Sequence, residues 1–469
     1  MSTQSLGGDV IRFSLLGLAA LVLVYAPLLF DPLVRHDDFP ALLGTKEMAY
    51  RKALDEGRWL NYWWQFRPYL WPAPVSFALY LIACAIFAAS TALIVFGRDA
   101  PGWYRGYFTL FVVLSIPTFL ISFWFNTLLP GAWVIAFFAL AVVFLPHRIA
   151  LALMLIAVPL SFMAYTTYPF LLLTLLLLSH KAPQTYKSMV TTLFVFFVSL
   201  VLAVVSVYSL NYLYHGVFGI PIAEWRAPTE AKTLDDLIVN LGKLKRFLMM
   251  TVRQFGGGTA GTGAVLLLFF GGAWVCLFRW QRFTAIAVLA AALAGLAPLF
   301  AKSLMSGVLV PVRAYGWIWI LIGFTFTTAT LHMAKTPGRW ASVARITIMY
   351  VLLIKLILFG RATYFQIPEW QKTTRDLAAS IPEGTSAIHI YGEFLGLNGA
   401  RSAGIQFSRG LQLRLAYLTG AEVFICHKQP EDCKKEMPPF DPMDWTHVPV
   451  VESRGDVTFI LLPPPPVGP

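Results

Sequence analysis

The sequence predicts a mainly α-helical, polytopic membrane protein of about eleven helices, with interfacial helices and a small extracytoplasmic α/β domain at its C-terminal end. Three observations lead there. Hydrophobic residues make up 58% of the 469 and charged residues only 13%, and the mean hydropathy is +0.67, outside the range of large soluble enzymes. Apolar runs long enough for a hydrocarbon core of roughly 30 Å recur along the chain. Residues 361–469 then return to an ordinary soluble composition. A net charge of +12 on a soluble protein would suggest nucleic acid. Here the basic residues fall in short loops between apolar runs, so the charge describes topology and a nucleic-acid partner is excluded.

The expected spans are 12–30, 74–96, 106–125, 130–145, 149–164, 168–180, 188–214, 262–278, 283–300, 314–332 and 346–360. The first is too long for a signal-peptide core and lacks a small-residue cleavage site before Asp31-Pro32, so it is expected to stay as an anchor. Alternate loops gather Arg12, Arg98 with Arg105, Arg148, Lys181 with Lys187, Arg279 with Arg282, and Lys335 with Arg339 and Arg345, against only Asp9 and Asp99. An excess of Lys and Arg marks cytoplasmic loops, and the opposite loops are close to charge balance. The N-terminus is therefore expected inside and the C-terminus outside. Residues 149–180 read as a hairpin of two short helices turning at Ala164-Tyr165-Thr166-Thr167-Tyr168-Pro169, because one kinked helix would put Arg148 and Lys181 on opposite sides. Each arm of about 15 residues reaches roughly 23 Å, a partial crossing unless tilted.

Three outer segments are long enough to carry function. Residues 31–72 contain Arg35-His36-Asp37-Asp38-Phe39-Pro40 and then a stretch, 47–60, in which Met48, Tyr50, Ala53, Leu54 and Trp59 form one apolar stripe, as in a helix lying at the interface. The aromatic run Trp59, Tyr62, Trp63, Trp64, Phe66, Tyr69 and Trp71 suits the head-group zone. Residues 215–255 include a basic amphipathic stretch, 232–255, with Lys243, Lys245, Arg246 and Arg253. In the tail, 386–391, 422–427 and 456–462 read as strands, and 369–379 and 408–418 as helices. The closing run 463–469 reads as disordered. Cys84 and Cys276 fall in spans and read as small hydrophobes, whereas Cys426 and Cys433 have a spacing that permits a disulfide in an oxidising compartment.

Carboxylates just beyond a first span are hydrated enough to stay ionised and close enough to meet a membrane-anchored substrate. Transfer of a sugar to a hydroxyl needs a base, and Asp37 or Asp38 can supply it, the other orienting the substrate or the loop. The alternative is that both cap the following helix or face water. A departing lipid phosphate needs a cation, best a guanidinium. Arg313, in Pro311-Val312-Arg313-Ala314-Tyr315-Gly316-Trp317, is the first candidate, with Arg253, Lys302 and Arg246 behind it. The alternative for Arg313 is an interfacial anchor that snorkels. Lys355 is an intramembrane charge close to the outer end of its span, either functional or snorkelling. His36, Arg58, Tyr165 and Tyr168 are substrate-binding candidates, the two tyrosines either hydrogen-bonding a sugar or anchoring the hairpin tip. The glycine-rich run 255–263 lacks the Lys-Ser/Thr ending of a phosphate loop and reads as flexible. Without an HExxH or paired CxxC, His36 beside Asp37 does not make a metal site.

Taken together, the Asp-Asp loop after the first span, Gly57-Arg58-Trp59-Leu60, the tyrosine-bearing hairpin tip at 165–168, Pro-x-Arg at 311–313 and the outer C-terminal domain resemble the type II glucosyltransferases that modify bacterial O-antigen, within the GT-C superfamily. The resemblance covers most of the chain in layout. It implies a GT-C-like catalytic domain over 1–360, a periplasmic domain over 361–469 and residence in the bacterial inner membrane among its lipids. It further implies a polyprenyl-phosphate hexose donor such as an undecaprenyl-phosphate glucose, a glycan acceptor on lipopolysaccharide, and inversion at the anomeric centre. Asp37 and Asp38 match the family's acidic pair and Arg313 its phosphate-binding position. No cofactor is certain, and a divalent cation stays open. The chain departs from the family at His36-Asp37-Asp38-Phe39-Pro40 and at Tyr165-Thr166-Thr167-Tyr168. The alternatives are a transporter or flippase of lipid-linked glycans, a class marked by internal repeats that are not evident here, and a scaffold whose tail recruits a partner. Cysteine labelling at residues 36–38 in intact cells is expected to proceed from the non-cytoplasmic side; labelling only after the inner membrane is opened would remove the enzymatic reading.

Overall fold

Apolar runs of this length fold as helices because a bilayer offers no other partner for backbone N–H and C=O groups. The computed structural model describes residues 3–255, 260–334, 339–433, 438 and 448–465 and is mainly helical, with a four-stranded sheet near the C-terminal end. Helix α1 (Thr3–Tyr25) leads through a loop bearing α2 (Phe39–Leu43), α3 (Glu47–Glu56) and α4 (Trp59–Trp64) to α5 (Ala73–Phe96). Then come α6 (Gly102–Val113), α7 (Ile116–Ile121), α8 (Phe125–Phe144), α9 (His147–Ala164) and α10 (Tyr168–Leu177). The helical body closes with α11 (Tyr186–His215), α12 (Leu234–Phe255), α13 (Ala260–Trp280), α14 (Arg282–Ser306), α15 (Gly316–Ala334) and α16 (Arg339–Arg361).

Among the described residues, nine helical segments are long and apolar enough to cross a membrane, as in a multi-pass protein. The expected eleven differ at two places. Residues 106–125 are not one span: α6 stops before Leu114, Ser115 accepts a hydrogen bond from the Thr118 N–H at 3.1 Å, and Pro117 opens α7, so a fresh N-terminus forms. The run from Ile116 to Phe144 then makes a single segment. Residues 168–180 shorten to the ten-residue α10, yet each of those residues is buried in the bundle. The hairpin turns where expected. α8 passes so close to it that a Cβ on Gly131 would lie 2.5 Å from the Ala164 Cβ.

The two ends of the bundle carry different chemistry. At one, Asp9 pairs with Arg105 at 3.1 Å and Arg98 at 3.3 Å, and Lys181 Nζ donates to the Val143 and Leu145 carbonyls at the C-terminal end of α8. The other end gathers the loop after α1, the hairpin tip and the C-terminal domain. Lys355 does not snorkel: it is 5% exposed, donates to the Phe255 carbonyl at 2.9 Å and lies over the Trp319 ring. An ammonium there meets the negative end of α12. Residues 47–60 are not one interfacial helix. Gly57 ends α3 at φ 71°, a conformation open to a residue without Cβ, and the turn carries Trp59 into the interior, where it is 0% exposed and its indole N–H donates to Asn211 at 2.8 Å.

No linker separates the C-terminal domain, because α16 passes through a π-helical turn (Ala362–Gln366) directly into α17 (Ile367–Ala379). Strands β1 (Ala387–Tyr391), β2 (Glu422–Ile425), β3 (Val450–Arg454) and β4 (Val457–Leu461), with α18 (Ser408–Thr419) and α19 (Pro430–Cys433), complete it. The sheet order is β2-β1-β4-β3, with β1 parallel to β2 and β4 and β3 antiparallel to β4. Three strands and both main helices sit where expected. Strand β3 falls outside the expectation because Glu452, Ser453 and Arg454 are exposed at the sheet edge and break the apolar alternation. Cys426 and Cys433 are bridged, with Cα atoms 5.5 Å apart. Pro463 is buried, so the proline-rich end begins as packed chain, whereas 466–469 lie outside the described residues, as do 256–259 of the glycine-rich run and Lys335.

Long-range polar contacts bind this domain to the loop after α1. Arg414 holds the Asp31 carboxylate with two bonds of 2.7 Å, Arg375 pairs with the same group, and Gln371 donates to the Asp31 carbonyl at 2.8 Å. Arg35 donates to the Gly404 carbonyl, and the His36 ring meets Phe407 edge-on at 4.9 Å. Arg414 is 3% exposed, so Arg414→Leu, which leaves Asp31 only Arg375, is expected to lower stability by about 2 kcal/mol and to open the loop to limited proteolysis. Unchanged cleavage of the loop would show that the domain does not hold it.

Candidate functional site

Adjacent residues on a turn point different ways, and here that separates the aspartates. Asp38 is 0% exposed: Oδ2 accepts from the Asn126 N–H at 2.9 Å and Oδ1 from the Thr127 N–H. These are first-turn donors of α8, so Asp38 caps a helix, though not the one that follows it in sequence. Burial outweighs the bonds and pushes its carboxyl up to about 6. Asp37 instead opens on a narrow recess shared with Pro40, Met48, Lys52, Arg58, Asn61, Gln65 and Thr127. His36 Nε2 lies 2.9 Å from Oδ1 and Lys52 Nζ 2.7 Å from Oδ2. Burial opposes the charge on Asp37, but the His36 hydrogen bond and the Lys52 ammonium outweigh it and hold the carboxyl well below the usual carboxylate range.

Arg58 enters the recess braced by Glu56, at 2.5 Å, which Arg226 also pairs at 3.1 Å. Its guanidinium lies 5.2 Å from the centre of the Tyr165 ring, and Tyr165 packs on Tyr168 at 5.2 Å. Through this hairpin tip the recess adjoins a second space, because Tyr168 lines a largely apolar cleft. Tyr80, Cys84 and Phe87 of α5 line it, stepping roughly 10 Å along the helix axis, together with Leu171 of α10 and Trp319 and Ile320 of α15. Arg313 stands at the cleft, its guanidinium 4.3 Å from the Trp124 ring centre, and Arg35 lies 5.6 Å from the same ring. Burial and the neighbouring Arg313 push the Arg35 guanidinium down to about 10. Neither arginine has a carboxylate partner among the described residues.

Asp37, His36, Arg58, Tyr165 and Tyr168 are thus brought together, and Arg313 joins them through Trp124 and Arg35. Arg246 and Arg253 are not part of this group. They lie on the exposed face of α12, whose buried face is Asn240, Leu244, Phe247, Thr251 and Phe255. Lys302 is exposed at the rim, within the field of Arg226 and Glu56. Arg35, Lys52, Asn61, Gln65 and Trp124 belong to the site without having been expected there. Asn61 and Gln65 carried a signal, being two amides inside an aromatic run.

The residues do not fit a divalent cation. Among the described residues Asp37 is the one carboxylate at the recess not consumed by a helix terminus or by arginines, and Lys52 and Arg58 flank it, whereas such an ion takes about six oxygen ligands. The cluster of His389, Cys426 and Cys433 has both sulfurs in the disulfide. No family model, curated protein or solved structure matches the chain.

A carboxyl whose pKa rises on folding favours the fold fully below its unfolded pKa near 4, and that contribution is lost as pH rises through its folded value. For Asp38, moved from 3.8 to about 6, the change amounts to about 3 kcal/mol. Thermal unfolding of wild type and Asp38→Asn from pH 4 to 7 is expected to diverge accordingly, wild type losing ground as pH rises. A constant difference would mean that Asp38 does not titrate in this range.

Proposed function

We propose that the protein is a membrane glycosyltransferase that moves a hexose from a polyprenyl-phosphate donor to a cell-surface glycan, in the bacterial inner membrane with its C-terminal domain in the periplasm. One observation carries the reading: an apolar cleft lined by the carboxylate-free Arg313, with Arg35 on the same Trp124 ring, adjoins a recess bearing an ionised carboxylate. An isoprenoid chain suits the cleft wall, and its phosphate suits Arg313 and Arg35. Asp37, held ionised by Lys52 and His36, takes the proton of the acceptor hydroxyl as that oxygen attacks the anomeric carbon from the face opposite the phosphate. The bond from carbon to phosphate oxygen breaks, and polyprenyl phosphate leaves as an anion that the guanidiniums stabilise. Asp38 acts on this chemistry only by positioning Asp37.

Purified Asp37→Asn is expected to lose about 10²- to 10⁴-fold in turnover with a polyprenyl-phosphate hexose, assayed below a melting temperature that falls because Lys52 loses its counter-ion, while Arg313→Leu raises the KM for that donor. Product analysis separates this reading from lipid-linked glycan transport: a new glycosidic bond marks a transferase. Full turnover in Asp37→Asn would remove the assigned base.

A further inference from the structure

Asn61 and Gln65 are 2% and 4% exposed and stand four residues apart, so they share one face of α4 and its C-terminal cap. Their amide N–H₂ groups are engaged, Asn61 Nδ2 donating to the Ala164 carbonyl at 2.9 Å and Gln65 Nε2 to the Asn61 carbonyl at 3.4 Å. Those bonds orient both side-chain carbonyls. Neither Asn61 Oδ1 nor Gln65 Oε1 has a hydrogen-bond partner among the described residues, and both side chains line the recess with Asp37, Lys52 and Arg58.

A buried acceptor left unpaired costs about 1–3 kcal/mol, so two of them in one cavity call for a ligand that brings hydrogen-bond donors. A phosphate brings only acceptors, and a lipid chain brings neither. We propose that Asn61 and Gln65 read adjacent hydroxyl groups on the edge of a neutral sugar ring, whose oxygens in turn face Lys52 and Arg58. This inference rests on the transferase reading and assigns specificity within it, Asn61 and Gln65 touching sugar rather than the reacting atoms. The recess is narrow, so it takes one edge of a ring and not the whole ring. The ring can belong to the donor or to the acceptor, since both are sugars.

The test uses the full chain in detergent and methyl glucoside, methyl galactoside and methyl mannoside with their mono-deoxy forms, read by saturation-transfer NMR. Wild type is expected to bind at least one parent glycoside and to lose about 10-fold or more with one mono-deoxy form. Gln65→Met, close in size but without the acceptor, is expected to abolish that discrimination, whereas Gln65→Glu, which keeps an acceptor, retains binding. Competition by a polyprenyl-phosphate hexose assigns the ring to the donor, and undiminished glycoside binding assigns it to the acceptor; either supports the inference. No glycoside binding, or equal discrimination in Gln65→Met, would overturn it and mean that the recess holds only water. Failure of the transferase reading looks different, as absence of transfer from any polyprenyl-phosphate sugar.

Discussion

The contact between the Asp38 carboxylate and the first turn of α8 is the constraint on which the site depends. A helix that begins inside a bundle leaves N–H groups that neither lipid nor neighbouring side chains satisfy unaided. Asp38 brings two oxygens to two of them. The same helix ends on the Lys181 ammonium, so negative and positive groups complement its dipole at opposite ends. Because Asp38 is drawn inward, its neighbour Asp37 is turned the other way, into the recess. The Arg35 N–H donating to the Phe123 carbonyl at 3.4 Å continues the same attachment. One loop is thereby pinned to one helix, and the Arg35 and Arg313 guanidiniums both lie over the Trp124 ring that precedes it.

Charge is distributed unevenly around this pin. At the recess Asp37 pairs with Lys52, and behind it Glu56 pairs with Arg58 and Arg226, so opposite charges sit in contact. Arg313, which lines the apolar cleft, and Arg35 on the same Trp124 ring have aromatic faces for company instead of carboxylates. Aromatic faces attract guanidinium groups without neutralising them. The first environment pairs each of its carboxylates with cations and suits neutral, hydroxylated matter, and the second keeps positive charge beside hydrocarbon. Tyr165 and Tyr168 form the partition between the two.

Much of the helical body was legible because hydrophobic length is a local property, and three of the four C-terminal strands are short, largely buried apolar runs. The break between α6 and α7 was also written locally, in Ser115-Ile116-Pro117, a cap followed by a helix-opening proline, but apolarity on both sides masked it. What local pattern could not reveal were pairings across the chain. The division of labour between Asp37 and Asp38 depends on N–H groups 88 and 89 residues away, and the role of Asp31 depends on Arg414, 383 residues away. Arg35 and Arg313 meet for the same reason. Trp59 looked interfacial by composition, yet the left-handed turn at Gly57 sends it inward to Asn211.

The unbroken run from α16 through the π turn into α17 has a mechanical consequence. With no loop between them, the terminal domain and the rod beneath it share one helical axis, and the domain grips the first loop through Asp31, Arg35 and His36. A tilt of the rod is therefore carried to the first loop, and with it to Asp37.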